Sequence, residues 1–266
     1  MAAAQASVIP DPQKGRIVEG MAFWTLAVIA AFCVGLSKGG APAFGSLAVP
    51  ILSLVISPVT AVGLLLPVFI FSDIFGLWAY RKYFDFGLLK VATVGIFIGT
   101  GIGWATAHIV PEDLVRVMIG LIGLVFSLNF IMRATADGPA QQPSFASGVF
   151  WTTVAGFTSF VSHAGAPPLQ VWMMPQKLPK MVFAGTATFA FAIMNVLKIW
   201  PYYTLGQLQA ENLQVTMILF IPAFIAVFVG YALIRVLPTR VFYTVVIWML
   251  LAVSIKLIWD GIAALI

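Results

Sequence analysis

Apolar stretches alternate with short polar breaks along the whole chain, and most of them are about as long as a helix that crosses a bilayer. Such a helix needs roughly 20 predominantly apolar residues. The segments at 42–56 and 166–176 are short for this, so we interpret them as return limbs of broken or re-entrant hairpins; steeply tilted crossings are the alternative. The pattern predicts helical segments at 19–37, 42–56, 59–80, 86–109, 112–133, 145–162, 166–176, 180–204, 212–235 and 239–263.

Composition points to the same class of protein. The 266 residues are 61% hydrophobic and 9% charged, whereas a soluble domain carries about 25% charged residues. We therefore predict an all-α polytopic membrane protein with roughly eight to ten membrane segments. The single cysteine, Cys33, excludes a disulfide within the chain and a cysteine-based metal site.

The chain contains an internal duplication. We divide it into a lead-in at 1–18, a first transmembrane repeat at 19–133, a polar linker at 134–144 and a second repeat at 145–266. Residues match between the repeats at an offset of about 125 throughout, and repeats of this kind are common in secondary transporters. The matched pairs include Pro50 with Pro175, Gly63 with Gly185, Asp73 with Asn195, Tyr80 with Tyr202, and Pro111 with Pro238.

Loop charges predict that the two repeats have inverted topology. If every basic loop lies in the cytoplasm, the repeats are antiparallel and both termini lie outside. Lys14 and Arg16 disagree with this orientation. Each repeat then has a broken or re-entrant hairpin followed by three spanning helices. The basic loops contain Arg81, Lys82, Lys90, Arg133, Lys177, Lys180, Arg235 and Arg240, and the acidic ones contain Glu112, Asp113 and Glu211.

Two polar strings, one in each repeat, interrupt otherwise apolar stretches. They are SKGGAP at 37–42 and SHAGAP at 162–167. A charged side chain inside a bilayer is costly and usually faces a cavity or a binding site. Glycine and proline beside it indicate a broken helix whose backbone N–H groups are free to meet a ligand. Lys38, His163 and Lys198 therefore predict an electropositive pocket at mid-depth, which suits a small anion better than a cation.

Each of these residues also has a purely structural interpretation. Lys38 would extend to the membrane interface if the first helix ended there, and His163 would be a packing histidine. Recurrence of a cation beside the same Gly-Ala-Pro weakens both alternatives. Asp73 lies well inside a segment, where it would either neutralise Lys38 or Lys198 as a structural ion pair or take part in transport.

Motifs from both repeats together resemble a known family. They are Gly35, Leu36, Ser37, Lys38, Gly39, Gly40, Gly45 and Pro50 in the first repeat, and 162–170, 175–178, Gly185, Thr186, 195–198 and Tyr202 in the second. The chain resembles the TauE/SafE membrane permeases, described as sulfite and organosulfur exporters, over essentially its whole length from about residue 20. The resemblance implies export of a small sulfur-containing anion, such as sulfite, sulfoacetate or a related sulfonate, across a bacterial inner membrane.

We interpret the chain as a multi-pass secondary active transporter that works by alternating access around one central site. His163 is a candidate for proton coupling, because the charge of histidine changes near neutral pH, and Asp73 is a second candidate. The predicted substrate-binding residues are Ser37, Lys38, Gly39, Gly40, Ser162, His163, Gly165, Gln170, Asn195 and Lys198.

The alternatives to a transporter are an anion channel, an enzyme and an assembly protein. An anion channel would use the same positive site without alternating gates. An enzyme is disfavoured, because the neighbouring Ser162 and His163 would point apart on a helix and the chain has no histidine–carboxylate metal motif. An assembly protein would leave the duplicated buried cations unexplained. We expect no cofactor, no metal and no nucleic acid; the expected partners are the anion and membrane lipid, and a homo-oligomer is compatible with the sequence.

Overall fold

The computed structural model describes residues 20–107, 109, 111–132, 140, 144–208 and 212–265, and within them it contains helices and no strand. The predicted all-α architecture is therefore confirmed. The predicted lead-in and nearly all of the predicted linker lie outside the described residues. So do Lys14, Arg16, His108, Arg133, Glu211 and the side chain of Glu112.

Ten α-helices occupy the described part of the chain, one in each predicted segment. The largest differences from the predicted bounds are at the ends of α2 and α4, which stop four residues early. Two 3-10 turns, Pro42–Phe44 and Met174–Gln176, adjoin the short helices. The helices are α1 (Met21–Lys38), α2 (Gly45–Leu52), α3 (Pro58–Tyr80), α4 (Phe86–Ala105), α5 (Glu112–Met132), α6 (Phe145–Ser162), α7 (Ala166–Met173), α8 (Lys180–Thr204), α9 (Leu213–Val236) and α10 (Thr239–Leu265).

Length and apolarity together distinguish the candidate membrane-spanning helices. Within the described residues, α1, α3, α4, α8, α9 and α10 are long and apolar enough to cross a membrane. Helices α2 and α7 have 8 residues each, which at a rise of about 1.5 Å per residue gives about 12 Å. The hydrocarbon core is about 30 Å thick. Neither short helix can cross it, which favours the re-entrant interpretation over tilted crossings.

A backbone break precedes each short helix. After α1, Gly40 has a φ of 116° and the Ala41 N–H donates to the Leu36 carbonyl at 3.2 Å. After α6, His163 is left-handed with a φ of 55°, and the Ala164 N–H donates to the Thr158 carbonyl at 3.3 Å. Both bonds resemble those that close a helix through a left-handed residue. The breaks leave Lys38 and His163 at the ends of α1 and α6.

The helices pack in two groups, which the predicted duplication would relate to each other. Helix α9, from the second repeat, packs along α1 and α3; its counterpart α4, from the first repeat, packs along α6 and α8. We call α1, α2, α3 and α9 the first helix group, and α4, α6, α7 and α8 the second. Helix α3 crosses α8 between the groups, and α5 pairs with α10. This exchange of equivalent helices fits an internal duplication; the inverted orientation stays a prediction.

Small residues allow the closest helix approaches. A Cβ on Gly39 would lie 2.6 Å from the Val227 carbonyl oxygen and 2.7 Å from the Cα of Gly230 on α9. On α4, a Cβ on Gly99 would meet the Thr153 carbonyl and the Phe157 nitrogen of α6. Contacts of this kind are typical of membrane helices. They hold α1 close against α9 and α4 close against α6.

Candidate functional site

A buried ion pair joins the end of α1 to the middle of α3. The Lys38 Nζ lies 2.8 Å from the Asp73 Oδ1, and the Asn195 Nδ2 on α8 donates to the other carboxylate oxygen, Oδ2, at 2.7 Å. Lys38 is 1% exposed and Asp73 is 4% exposed. Lys38 therefore does not extend to a membrane interface. Of the two lysines that the sequence offered as ion-pair partners of Asp73, the structure pairs it with Lys38.

Two aromatic rings enclose the same ammonium group. The Lys38 Nζ lies 5.2 Å from the centre of the Phe69 ring and 5.1 Å from that of Phe191. The face of an aromatic ring carries partial negative charge and attracts a cation, more strongly where water is excluded. The rings and the Asp73 carboxylate together compensate the charge of Lys38.

Lys198 lies in a different environment, because its neighbours are neutral. Its Nζ lies 2.8 Å from the His163 Nδ1, 3.2 Å from the Ser159 carbonyl oxygen and 3.2 Å from the Ser159 Oγ. These three acceptors match the three N–H donors of an ammonium group. Lys198 is fully buried, and within the described residues no carboxylate lies within ion-pair distance of it.

The contacts of His163 define its tautomer. The His163 Nε2 lies 3.2 Å from the Val62 carbonyl oxygen; a carbonyl only accepts, so Nε2 carries the proton. Nδ1 is then the acceptor for the Lys198 ammonium, and the ring is neutral. The Phe69 ring stacks on it with the centroids 4.7 Å apart. His163 is thus a contact between the two helix groups, since Val62 and Phe69 are on α3.

A small cavity lies among these side chains. Its volume of about 10 Å³ is close to the minimum that holds one water molecule. Of the predicted site residues, Ser37, Lys38, His163 and Asn195 line it. The other lining residues are Pro42, Gly45, Ser46, Phe69, Ser159, Ala166 and Phe191. Both helix breaks contribute to the wall, as the repeated strings suggested.

Two serines of this wall were missed by the sequence reasoning. Ser159 bonds to Lys198, and the buried Ser46 Oγ has no hydrogen-bond partner in the described part of the chain. By contrast, the Ser37 Oγ donates to the Val34 carbonyl within α1 at 2.6 Å. Serines inside helices commonly bond back to the preceding turn, so a lone serine in an apolar segment gives no signal that could have identified them.

The remaining predicted residues do not line the cavity. Lys198 contacts two of the lining residues, His163 and Ser159, but does not reach the cavity itself. Gly165 packs against Ser159, and a Cβ added to Gly165 would lie 2.9 Å from the Ser159 Cβ. The buried polar atoms of Ser162 and Gln170 have no hydrogen-bond partner among the described residues. The Gly39 carbonyl accepts from the Tyr80 hydroxyl at 2.5 Å, and Gly40 packs against Tyr80 and Ile234. Gly39 and Gly40 therefore shape the helix break.

The arrangement can bind an anion but offers little for a metal. Within the described residues, no group of three or more His, Cys, Asp or Glu side chains is placed to hold a metal ion. The donors that line the cavity are the Lys38 ammonium group, the Asn195 carboxamide and serine hydroxyls, and Lys198 lies behind His163 and Ser159. These are groups that bind oxyanions.

A family model matches most of the chain. The family model described as "Sulfite exporter TauE/SafE" matches residues 27–257. No curated protein and no solved structure matches the chain. The matched range contains both helix breaks and every residue of the site described above.

Proposed function

This chain belongs to the TauE/SafE sulfite exporter family, and from this membership we propose that it is a secondary transporter that exports a small sulfur-containing anion. The anion is sulfite, sulfoacetate or a related sulfonate, and the protein lies in the bacterial inner membrane. The protein is a multi-pass membrane protein of a family of exporters. The energy for export comes from an ion gradient or from the electrochemical potential of the substrate itself.

One observation supports an anionic substrate above all others. Two buried lysines are accompanied by a single carboxylate: Lys38, which lines the cavity between the helix groups, pairs with Asp73, and Lys198 reaches the cavity through His163 and Ser159. Burying a charge is costly unless it is compensated. An anion that entered the cavity would compensate the excess, whereas a cation would increase it. Serine hydroxyls and the Asn195 amide would supply hydrogen bonds to its oxygens.

The cavity also supports alternating access over a channel. At about 10 Å³ it is too small for an oxyanion with three or more oxygens, so the helix groups have to separate before one can enter. Its wall comes from both groups. Secondary transporters commonly bind substrate at such an interface near mid-membrane and open it to one side at a time. A conducting channel needs a continuous path instead.

Counterflow in reconstituted vesicles tests this function. We expect vesicles preloaded with unlabelled sulfite to accumulate external labelled sulfite transiently above its equilibrium level, because a carrier exchanges one bound anion for another. Vesicles preloaded with chloride, and protein-free vesicles, are the controls. Uptake that rises to equilibrium without an overshoot would identify a channel, and uptake equal to that of protein-free vesicles would contradict anion transport.

We also propose that His163 couples transport to protons. A proton added to Nδ1 would remove the acceptor of Lys198 and place two cations side by side. The charged groups around this ring are Lys198 on α8 and Lys38 on α1, which is itself paired with Asp73 on α3. Protonation would therefore loosen the contact between His163 and α8.

Replacing His163 with glutamine tests the coupling. Glutamine offers an amide donor for Val62 and an oxygen acceptor for Lys198, but it does not titrate. We expect the wild-type export rate to vary across about pH 5 to 8, where histidine titrates, and the His163→Gln rate to be flat across that range. The measurement is initial efflux of labelled methanesulfonate at each pH, because the charge of this sulfonate stays constant over the range. An unchanged pH profile would exclude His163 and leave Asp73 as the remaining candidate.

A further inference from the structure

With both lysines protonated and Asp73 ionised, the buried charges around the cavity add up to a single positive charge. The Lys38 ammonium faces a carboxylate that receives a second bond from the Asn195 amide, as an ionised carboxylate does. The Lys198 ammonium faces three neutral acceptors, and His163 is neutral because Nε2 alone carries its proton. The charges of Lys38 and Asp73 cancel, and that of Lys198 is left.

We propose that the site selects anions that carry one negative charge and that Asp73 sets this selectivity. The inference rests on the proposed function and narrows its substrate class. A singly charged anion neutralises the cluster, whereas a doubly charged one leaves a negative charge buried. Buried uncompensated charge is costly. Bisulfite and singly charged sulfonates are therefore preferred over the sulfite dianion and over sulfoacetate, which has two acidic groups.

Asp73 acts on the substrate through charge and through its position. Its Oδ1 binds Lys38, which lines the cavity, and its Oδ2 binds Asn195, which also lines it. Asp73 and Asn195 are matched positions of the two repeats and differ by one charge. A carboxylate at either position would give the cluster the same net charge, and an amide at both would raise it by one.

This symmetry provides a sharp test with two variants. Asp73→Asn raises the net charge by one, and the double variant Asp73→Asn/Asn195→Asp moves the carboxylate to α8 and restores it. The probes are methanesulfonate and sulfate, which are similar in shape and size and differ by one charge. Binding of each to the purified protein is measured by calorimetry at one ionic strength, and elution of each variant as a single folded species is checked first.

The readout is the ratio of the two affinities. The sulfate dianion would leave a negative charge buried, which is costly, so we expect the wild type to prefer methanesulfonate. Coulomb energy is proportional to the charge of the ligand, so Asp73→Asn should shift the ratio toward sulfate by at least about tenfold, and the double variant should return to the wild-type ratio. An unchanged ratio in a folded Asp73→Asn would overturn the proposal.

Two other outcomes would also contradict the selectivity proposal, and they show whether the proposed anion transport fails with it. Sulfate binding to the wild type as tightly as methanesulfonate would overturn the charge rule without any variant, even if Asp73→Asn failed to fold, and would leave anion transport intact. If neither anion, and no sulfite, bound to the wild type, then the anion site itself would be wrong, and the selectivity proposal would fall with it.

Discussion

Replacing Lys38 with methionine is expected to lower the free energy of unfolding by about 3–5 kcal/mol, the usual cost of removing one partner from a buried ion pair, and to abolish sulfite export. The Asp73 carboxylate would be left buried beside a thioether, with only the Asn195 amide to compensate it. The cluster would also lose its net positive charge. Thermal unfolding of the purified protein and efflux from vesicles measure the two effects.

A double variant separates stability from function. Lys38→Met/Asp73→Asn removes both charges, so most of the lost stability should return, while export should stay far below wild type because one cation is missing from the site. The matched control is Lys256→Met, which breaks a pair with Asp260 whose lysine side chain is 42% exposed. Exposed pairs contribute about 0–1 kcal/mol. If Lys38→Met were as harmless as Lys256→Met, neither role of Lys38 would hold.

Replacing Gly40 with alanine is expected to destabilise the protein by about 2–5 kcal/mol, from about 1–2 for a side chain in left-handed backbone and about 1–3 for overpacking. Gly40 has a φ of 116°. A Cβ there would overlap the Tyr80 hydroxyl and the Ile234 Cδ1. We also expect Gly40→Ala to lose sulfite export, because Lys38 lies directly before the helix break that the added Cβ would distort. The same two assays apply.

Two other glycines separate the causes of this effect. Gly206 has a φ of 69°, but a Cβ added there would have no atom within 4 Å, so Gly206→Ala reports the backbone cost alone. Gly101 is helical and equally open, so Gly101→Ala should stabilise α4 slightly, as alanine does in a helix. If Gly40→Ala lost no more stability than Gly206→Ala, then crowding against Tyr80 and Ile234 would not matter.

The sequence predicted the helices well because membrane helices are recognisable by their length and apolarity. All ten segments recur as helices, and the shortness of α2 and α7 follows from the spacing of the polar breaks alone. The sequence also identified the cations at the breaks, since a lysine in an apolar stretch is conspicuous. Which of the two lysines pairs with Asp73 was not predictable, because it depends on how α1, α3 and α8 meet.

The alignment of the two repeats also paired two positions whose backbone conformations differ in the structure. Lys38 and His163 match in the aligned strings, yet Lys38 is the last helical residue of α1 whereas His163 has already left the helix with a φ of 55°. The left-handed residue of the first break is Gly40, two positions later. Histidine tolerates this conformation better than most residues, but nothing in the string indicated that it would adopt it.

The ion-pair and hydrogen-bond partners of each buried ammonium lie in its own helix group, and in a transport cycle this would lower the activation barrier. Lys38 and Asp73 belong to the first helix group, and Lys198, His163 and Ser159 to the second. At this site hydrogen bonds between the groups run from His163 to the Val62 carbonyl, from Asn195 to Asp73 and from the Thr188 hydroxyl to the Lys38 carbonyl. Sliding one group past the other would break these bonds without separating opposite charges. Each ammonium would keep its polar partners, and Lys38 would lose only its contact with the Phe191 ring, so the barrier would not include the large cost of desolvating an ion.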